Sequence, residues 1–259
     1  MGTTLAWVLP AILISGAASL TIAAIFSFSA TMSRTVESMV SLSVGVMLST
    51  TFLHALPEAF ERAHDHAGLF AMLLGGLLGF FLLEKISLIR HPHHHEGDSR
   101  ETGCNLQQGG SAGWMILLGD GFHNFADGIM IAAAFMADIH LGIVTSLAIF
   151  AHEVPHEVGN FIVLLNAGFS RMRAYLYNLF CRILSVAGGL IGCHALDRAQ
   201  SLIPYVLVLA SAGFIYIAVS DLIPQMQRRT TPKDTLSQIL LISAGVAVIF
   251  IITHGVHSH

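Results

Sequence analysis

Charge is scarce in this chain. Asp, Glu, Lys and Arg make up 11% of its 259 residues, against about 25% in soluble domains. Cysteine is scarcer still: Cys104, Cys181 and Cys193 form no CxxC pair, and nothing in their spacing indicates a disulfide framework. Lys and Arg are missing from the opening MGTTLAWVLP, and the apolar run there outlasts the roughly 7–15-residue core of a secretion signal. That run therefore reads as a retained helix. A formal charge of −4 alongside 15 histidines lacks the basic footprint that nucleic acid attracts.

What remains is apolar. Hydrophobic residues make up 54% of the chain and the mean hydropathy is +0.71. A bilayer takes roughly 20 apolar residues to cross as a helix. Eight stretches qualify: about Leu5–Phe28, Val36–Phe60, Leu69–Ile89, Gly113–Met136, Leu141–Ala167, Arg173–Ala195, Leu202–Met226 and Leu236–Val256. The expected fold class is an all-α, multi-pass membrane protein. One transmembrane domain covers 1–259, with a polar loop at 90–112. Arg34, Lys85, Arg90, Arg100, Arg171, Arg173, Arg228, Arg229 and Lys233 fall on one side, and Arg62 and Arg198 on the other. The positive-inside bias then puts both termini outside the cytoplasm and the 90–112 loop inside. Arg182 lies within the sixth span.

The polar residues that do occur are concentrated. The fourth span carries DGFHNFADG, with Asp120, His123, Asn124 and Asp127; the fifth carries HEVPHE, with His152, Glu153, His156 and Glu157. Spacings of three and four put residues on one helix face. His123, Asp127, His152 and His156 are thus expected to converge on one point, and Asn124, Asp127 and Glu153 on a second beside it. Imidazole and carboxylate suit Zn²⁺ and, less selectively, Fe²⁺, Mn²⁺ or Cd²⁺. An acid at a helix centre costs about 2.5–3.5 kcal/mol to insert, so Asp127, Glu153 and Glu157 together cost very roughly 8–10. A divalent cation or protons could offset much of that. Pro155 has no N–H, which leaves the carbonyl of Ala151 without its usual donor. A packing kink with internally paired polar groups is the plainer alternative, but six ligand-capable residues in phase on two consecutive helices weigh against it.

Weaker signals surround this core. His54, followed by Pro57 and Glu58, could complete the site from the second span, or simply meet interfacial water. HALPEAF (His54, Pro57, Glu58) is echoed by SDLIPQM (Asp221, Pro224, Gln225) in the seventh span. Four helices, an even number, lie between the copies, which would make them opposite in orientation, as in inverted-repeat carriers. In the polar loop, His91, His93, His94 and His95 could sequester or sense metal, or form a solvated linker.

HEVPH also fits the zinc-peptidase string HExxH, in which the Glu is a general base. Pro155 between the histidines and the surplus of His123, Asn124 and Asp127 speak against an enzyme. A metal sensor without transport is a further alternative. Gly45, Gly119, Gly128 and Gly159 favour close helix packing that a carrier could exploit.

HNFADG and HEVPHE together resemble the paired motifs of the ZIP (Zrt-, Irt-like) zinc transporters. The histidine-rich loop, the eight spans and the external termini fit as well, and HEVPHE resembles the subgroup mostly associated with zinc. The resemblance implies an inverted-repeat bundle of 3+2+3 helices in which helices one, four, five and six slide against two, three, seven and eight. It implies a primary site of His123, Asp127, His152 and His156 with His54, and a second of Asn124, Asp127 and Glu153. Relatives with an acid in place of His156 can bridge two metals there, which a neutral imidazole does not readily do. No catalytic cofactor is implied; the metal is cargo. The short chain points to a microbial cell membrane, with an organelle membrane as the alternative, and whether it works as a homodimer is left open.

Overall fold

The computed structural model describes residues 2–26, 32–89, 106–166, 168–227 and 231–254. Among them all regular structure is helical. In chain order the helices are α1 (Gly2–Phe26), α2 (Met32–Thr50), α3 (Leu56–Arg62), α4 (His66–Ile89), α5 (Leu106–Ala137), α6 (Ile139–Asn166), α7 (Arg171–Arg198), α8 (Ile203–Ile217), α9 (Ile223–Met226) and α10 (Pro232–His254). Five-residue π-turns, Thr51–Ala55 and Ala218–Leu222, join α2 to α3 and α8 to α9 into continuous rods. The described residues thus form eight rods. Six of these are long and apolar enough to cross a membrane. The other two, α5 and α6, are long enough but carry the His, Asp, Asn and Glu residues that lower their hydropathy.

The rods follow the expected spans to within a few residues, with one correction. Helix α5 starts at Leu106, so the loop expected over 90–112 is helical from there onward. His91, His93, His94 and His95 lie outside the described residues.

The two π-turns have one cause. A proline follows each, Pro57 and Pro224, at the start of the next helical piece. Without an N–H, a proline cannot continue the ordinary ladder and its ring crowds the preceding turn. The chain widens instead: the N–H of Leu56 reaches the carbonyl of Thr51, and that of Ile223 reaches Ala218. The sequence echo therefore has a shared backbone form.

Two groups of helices emerge from the packing. Helix α5 lies along α7, and α1 covers both α6 and α7; in the other group α2 lies along α10 and α4 along α8. Glycines set the closest approaches. A methyl at Gly128 would fall on the carbonyl oxygen of Ser185, and one at Gly188 on that of Phe125, so α5 and α7 touch backbone to backbone. Gly45 and Gly245 do the same for α2 and α10, against the carbonyls of Ile242 and Leu42. Gly119 and Gly159, expected to serve likewise, face open space. The groups meet where α2 crosses α6 and α8 touches α5. In the hydrophobic window of the rod from Ser38 to Arg62, 67% of residues are buried, against 11% for α10, which places α2 and α3 at the centre and α10 at the rim. The exposed faces of α4 and α10, with Phe70, Leu74, Phe81, Ile239 and Phe250, are apolar as lipid contact requires. Cys181 and Cys193 are buried free thiols.

Candidate metal site

Helices α5 and α6 form an antiparallel hairpin with a single residue, Asp138, between them. Its Oδ1 accepts the N–H groups of His140 and Leu141 at 2.8 and 3.0 Å, capping α6. His123 and Glu153 lie the same number of residues from this turn, on opposite strokes of the hairpin, and so reach the same depth. At its far end α6 stops in a Schellman turn. Gly168 has φ 87, and the N–H groups of Gly168 and Phe169 bond to the carbonyls of Leu165 and Leu164.

At the shared depth, His123, Asp127, His152 and Glu153 each offer a ligand atom, all within 4.8 Å of one another. His123 Nε2 lies 3.2 Å from His152 Nε2, 3.4 Å from Glu153 Oε1 and 3.7 Å from Asp127 Oδ2; His152 Nε2 lies 3.9 Å from the same Asp127 oxygen. Tetrahedral zinc with ligands at about 2.0–2.1 Å holds their atoms roughly 3.3–3.5 Å apart. The observed separations bracket that edge. His152 Nδ1 is 3.0 Å from the carbonyl of Ala148. A carbonyl only accepts, so Nδ1 carries the proton and Nε2 turns its lone pair to the cluster. Both oxygens of Asp127 and Oε1 of Glu153 are buried without a hydrogen-bond partner. Buried polar atoms are seldom left so, and a cation is the partner that would serve all of them.

The arrangement differs from the expected one in which residue completes the set. Glu153 joins His123, Asp127 and His152, whereas His156, with its ring 5.2 Å from that of His123, stands beside the four. Its Nδ1 lies 3.5 Å from Asp120 Oδ1, and Asn160 donates to the same oxygen at 2.8 Å. Asn124, expected at a second point, donates to its own helix at the Asp120 carbonyl and leaves Oδ1 buried and unpartnered. His54 sits half-buried in the first π-turn, outside the four-residue cluster. Glu58 pairs with Arg62 at 2.5 Å, and Arg62 also donates to the carbonyl of Ala137, so this acid lies at the rim rather than the centre.

Three participants were not anticipated as such. Arg182 of α7 donates to both Glu153 Oε2 and, at 2.6 Å, Glu157 Oε1, while its own side chain is only 10% exposed. Its stem passes Gly16 of α1, where a methyl would lie 3.2 Å from Cδ. The signal for it was plain: an arginine inside an apolar span needs an acid nearby. Ser43 of α2 donates its hydroxyl to the carbonyl of Ala151 at 2.5 Å, which supplies the donor that Pro155 withholds. Phe214 of α8 closes the site, its ring 5.9 Å edge-on from that of His152.

Residues 89–253 match the family described as ZIP Zinc transporter. This chain belongs to the ZIP family. As a ZIP protein it is a multi-pass membrane protein, and the family is one of transporters rather than enzymes. It is 41% identical to zinc transporter ZIP10 of Mus musculus over 135 residues, which cover 52% of this chain and 16% of that one. With zinc transporter ZIP13 of Pongo abelii the identity is 32% over 230 residues, 82% of this chain and 65% of the relative. Zinc transporter foi of Drosophila melanogaster is 41% identical over 140 residues, 54% of this chain and 20% of its own length. The chain thus spans about a sixth of the mouse protein and just under two thirds of the ape ZIP13.

Proposed function

We propose that this ZIP protein carries a divalent metal ion, zinc before Fe²⁺, Mn²⁺ or Cd²⁺, across its membrane into the cytoplasm. The observation that carries the reading is the buried cluster of His123, Asp127, His152 and Glu153, whose unpartnered oxygens call for a cation. The ion sheds its water and takes two imidazoles and two carboxylates midway through the bundle. This mixed set is hard enough to compete with hydration and labile enough to let go. His54 and Asn124 join when the groups move, and His156 and Asp120 receive the ion on its way out.

A direction follows from the surroundings. A cavity of about 410 Å³ lies beside His156, bounded by Asn160, Asp221 and Gln225. Around it the rods end on the side where Arg34, Arg171, Arg173 and Lys233 stand in the first turns of α2, α7 and α10, the side that the charge bias assigns to the cytoplasm. A larger cavity of about 620 Å³, lined by Lys233 and Asp234, adjoins the first, and the two share Val36 and Gln225. Matched π-turns on the second and seventh rods support an inverted repeat of 3+2+3 spans. The two glycine-locked groups would be the moving and static bodies of an alternating-access cycle, in one transmembrane domain with external termini and a cytoplasmic histidine-rich loop in a cell membrane.

A peptidase needs both HExxH histidines on one metal and a glutamate free to activate water. Here His156 is paired with Asp120 and Glu153 with Arg182, so the geometry favours the carrier. Purified protein in sealed liposomes is expected to take up zinc saturably, with Cd²⁺, Fe²⁺ and Mn²⁺ as competitors that rank the cargo. Tight zinc binding without any uptake would overturn the carrier in favour of a sensor.

A further inference from the structure

Glu153 faces two ways. Its Oε1 points into the cluster, 3.4 Å from His123 Nε2, while Oε2 accepts from the guanidinium of Arg182. The same guanidinium nitrogen bonds Glu157 Oε1 at 2.6 Å. Both acids are buried and the Arg182 side chain is nearly so, and one oxygen of Glu157 and the Nε of Arg182 have no hydrogen-bond partner. A carboxylate shared between one cation site and another is the usual bridge of a two-metal centre, whose ions lie about 3.5–4 Å apart. In this chain the second cation is part of the protein.

We propose that Arg182 occupies the place of a second metal ion and confines the cluster to one divalent cation per passage. This rests on the reading of the cluster as the transport site. The physical case is one of charge and room. Asp120, Asp127, Glu153 and Glu157 bring four carboxylates to one buried region. Burying them together is tolerable only with compensating cations, and the guanidinium of Arg182 supplies part of that. Because one guanidinium nitrogen engages Glu153 and Glu157 together, neither acid is free to recruit a second ion. Remove the guanidinium and four carboxylates match two divalent ions charge for charge. Arg182 is thus a positioning residue: it acts on the cargo through Glu153. Gly16 on α1 leaves the groove through which its stem reaches the pair.

The test is an ion count on purified full-length protein loaded with zinc alone, compared between variants so that zinc held elsewhere cancels. Arg182→Gln is expected to hold one ion more than the parent. Arg182→Lys, which keeps the charge, should return the count to the parent value, and so should Arg182→Gln combined with Glu157→Gln. A folded Arg182→Gln that binds no additional ion overturns the proposal. Should that variant fail to fold, X-ray absorption of the zinc-loaded parent decides. Absence of a zinc–zinc vector near 3.5–4 Å is the expected result, and its presence overturns the single-ion assignment. A His123→Ala protein that keeps its full ion count would instead sink the transport-site reading itself, leaving no cargo for Arg182 to limit.

Discussion

At the residue scale the informative atoms are those whose ordinary partners are missing. Pro155 strips the carbonyl of Ala151 of its helical donor, and Ser43 replaces it from another helix at 2.5 Å. Removing one partner of a buried hydrogen bond costs about 1–3 kcal/mol. Ser43→Ala is therefore expected to lower the thermal unfolding midpoint in detergent, while Ser49→Ala, whose hydroxyl donates to the Gly45 and Val46 carbonyls of its own helix, should lower it less. Equal effects would mean that the Ser43 hydroxyl is not what completes α6. The same logic separates the legible from the illegible in the site. His123, Asp127, His152 and Glu153 were visible because spacings of three and four bring side chains to a common face. That Glu153 would stand within the four-residue cluster and His156 beside it, next to Asp120, was not visible. Both lie on neighbouring faces of α6, and the choice depends on Arg182 and Asp120, which draw them apart from other helices.

Elements carry the next level of information. Hydropathy located all eight rods because a bilayer-length apolar run has few alternatives, but it placed the start of α5 too late. The polar residues from Leu106 to Ala112 look like loop, yet the helix continues through them. The π-turns were foreshadowed only by the proline echo, since a widened turn has no composition of its own. Glycine is similar: Gly45, Gly119, Gly128 and Gly159 look alike in sequence and differ in what they face. Gly128→Val would push α5 off the Ser185 carbonyl, an overpacking that typically costs about 1–3 kcal/mol or more. Gly159→Ala meets nothing and should gain roughly 0.5–1 kcal/mol from helix propensity. Unfolding monitored by circular dichroism should separate the two in opposite directions. Matching losses would argue against the α5–α7 contact as drawn.

The described residues form two tightly knit groups of helices with the candidate cation site at the seam. Within each group glycines bring backbones into contact; between them, α2 meets α6 through Ser43 and Ala151, and α8 meets the site through Phe214. A cycle that moves one group against the other must break the Ser43–Ala151 bond. Cysteines placed at these two positions, with Cys104, Cys181 and Cys193 replaced, are expected to stop zinc uptake when bridged and to restore it on reduction. Uptake that continues through the bridge would place the motion elsewhere. The site also competes with protons for the same lone pairs, so zinc affinity should fall as pH is lowered. Everything at this scale depends on the cluster being the path of the ion. The most direct measurement is radioactive zinc uptake by sealed proteoliposomes, comparing His123→Ala with the parent at equal folded protein. Uptake by the variant at the level of protein-free liposomes is the predicted result. Uptake at the parent rate would contradict a route through His123, Asp127, His152 and Glu153.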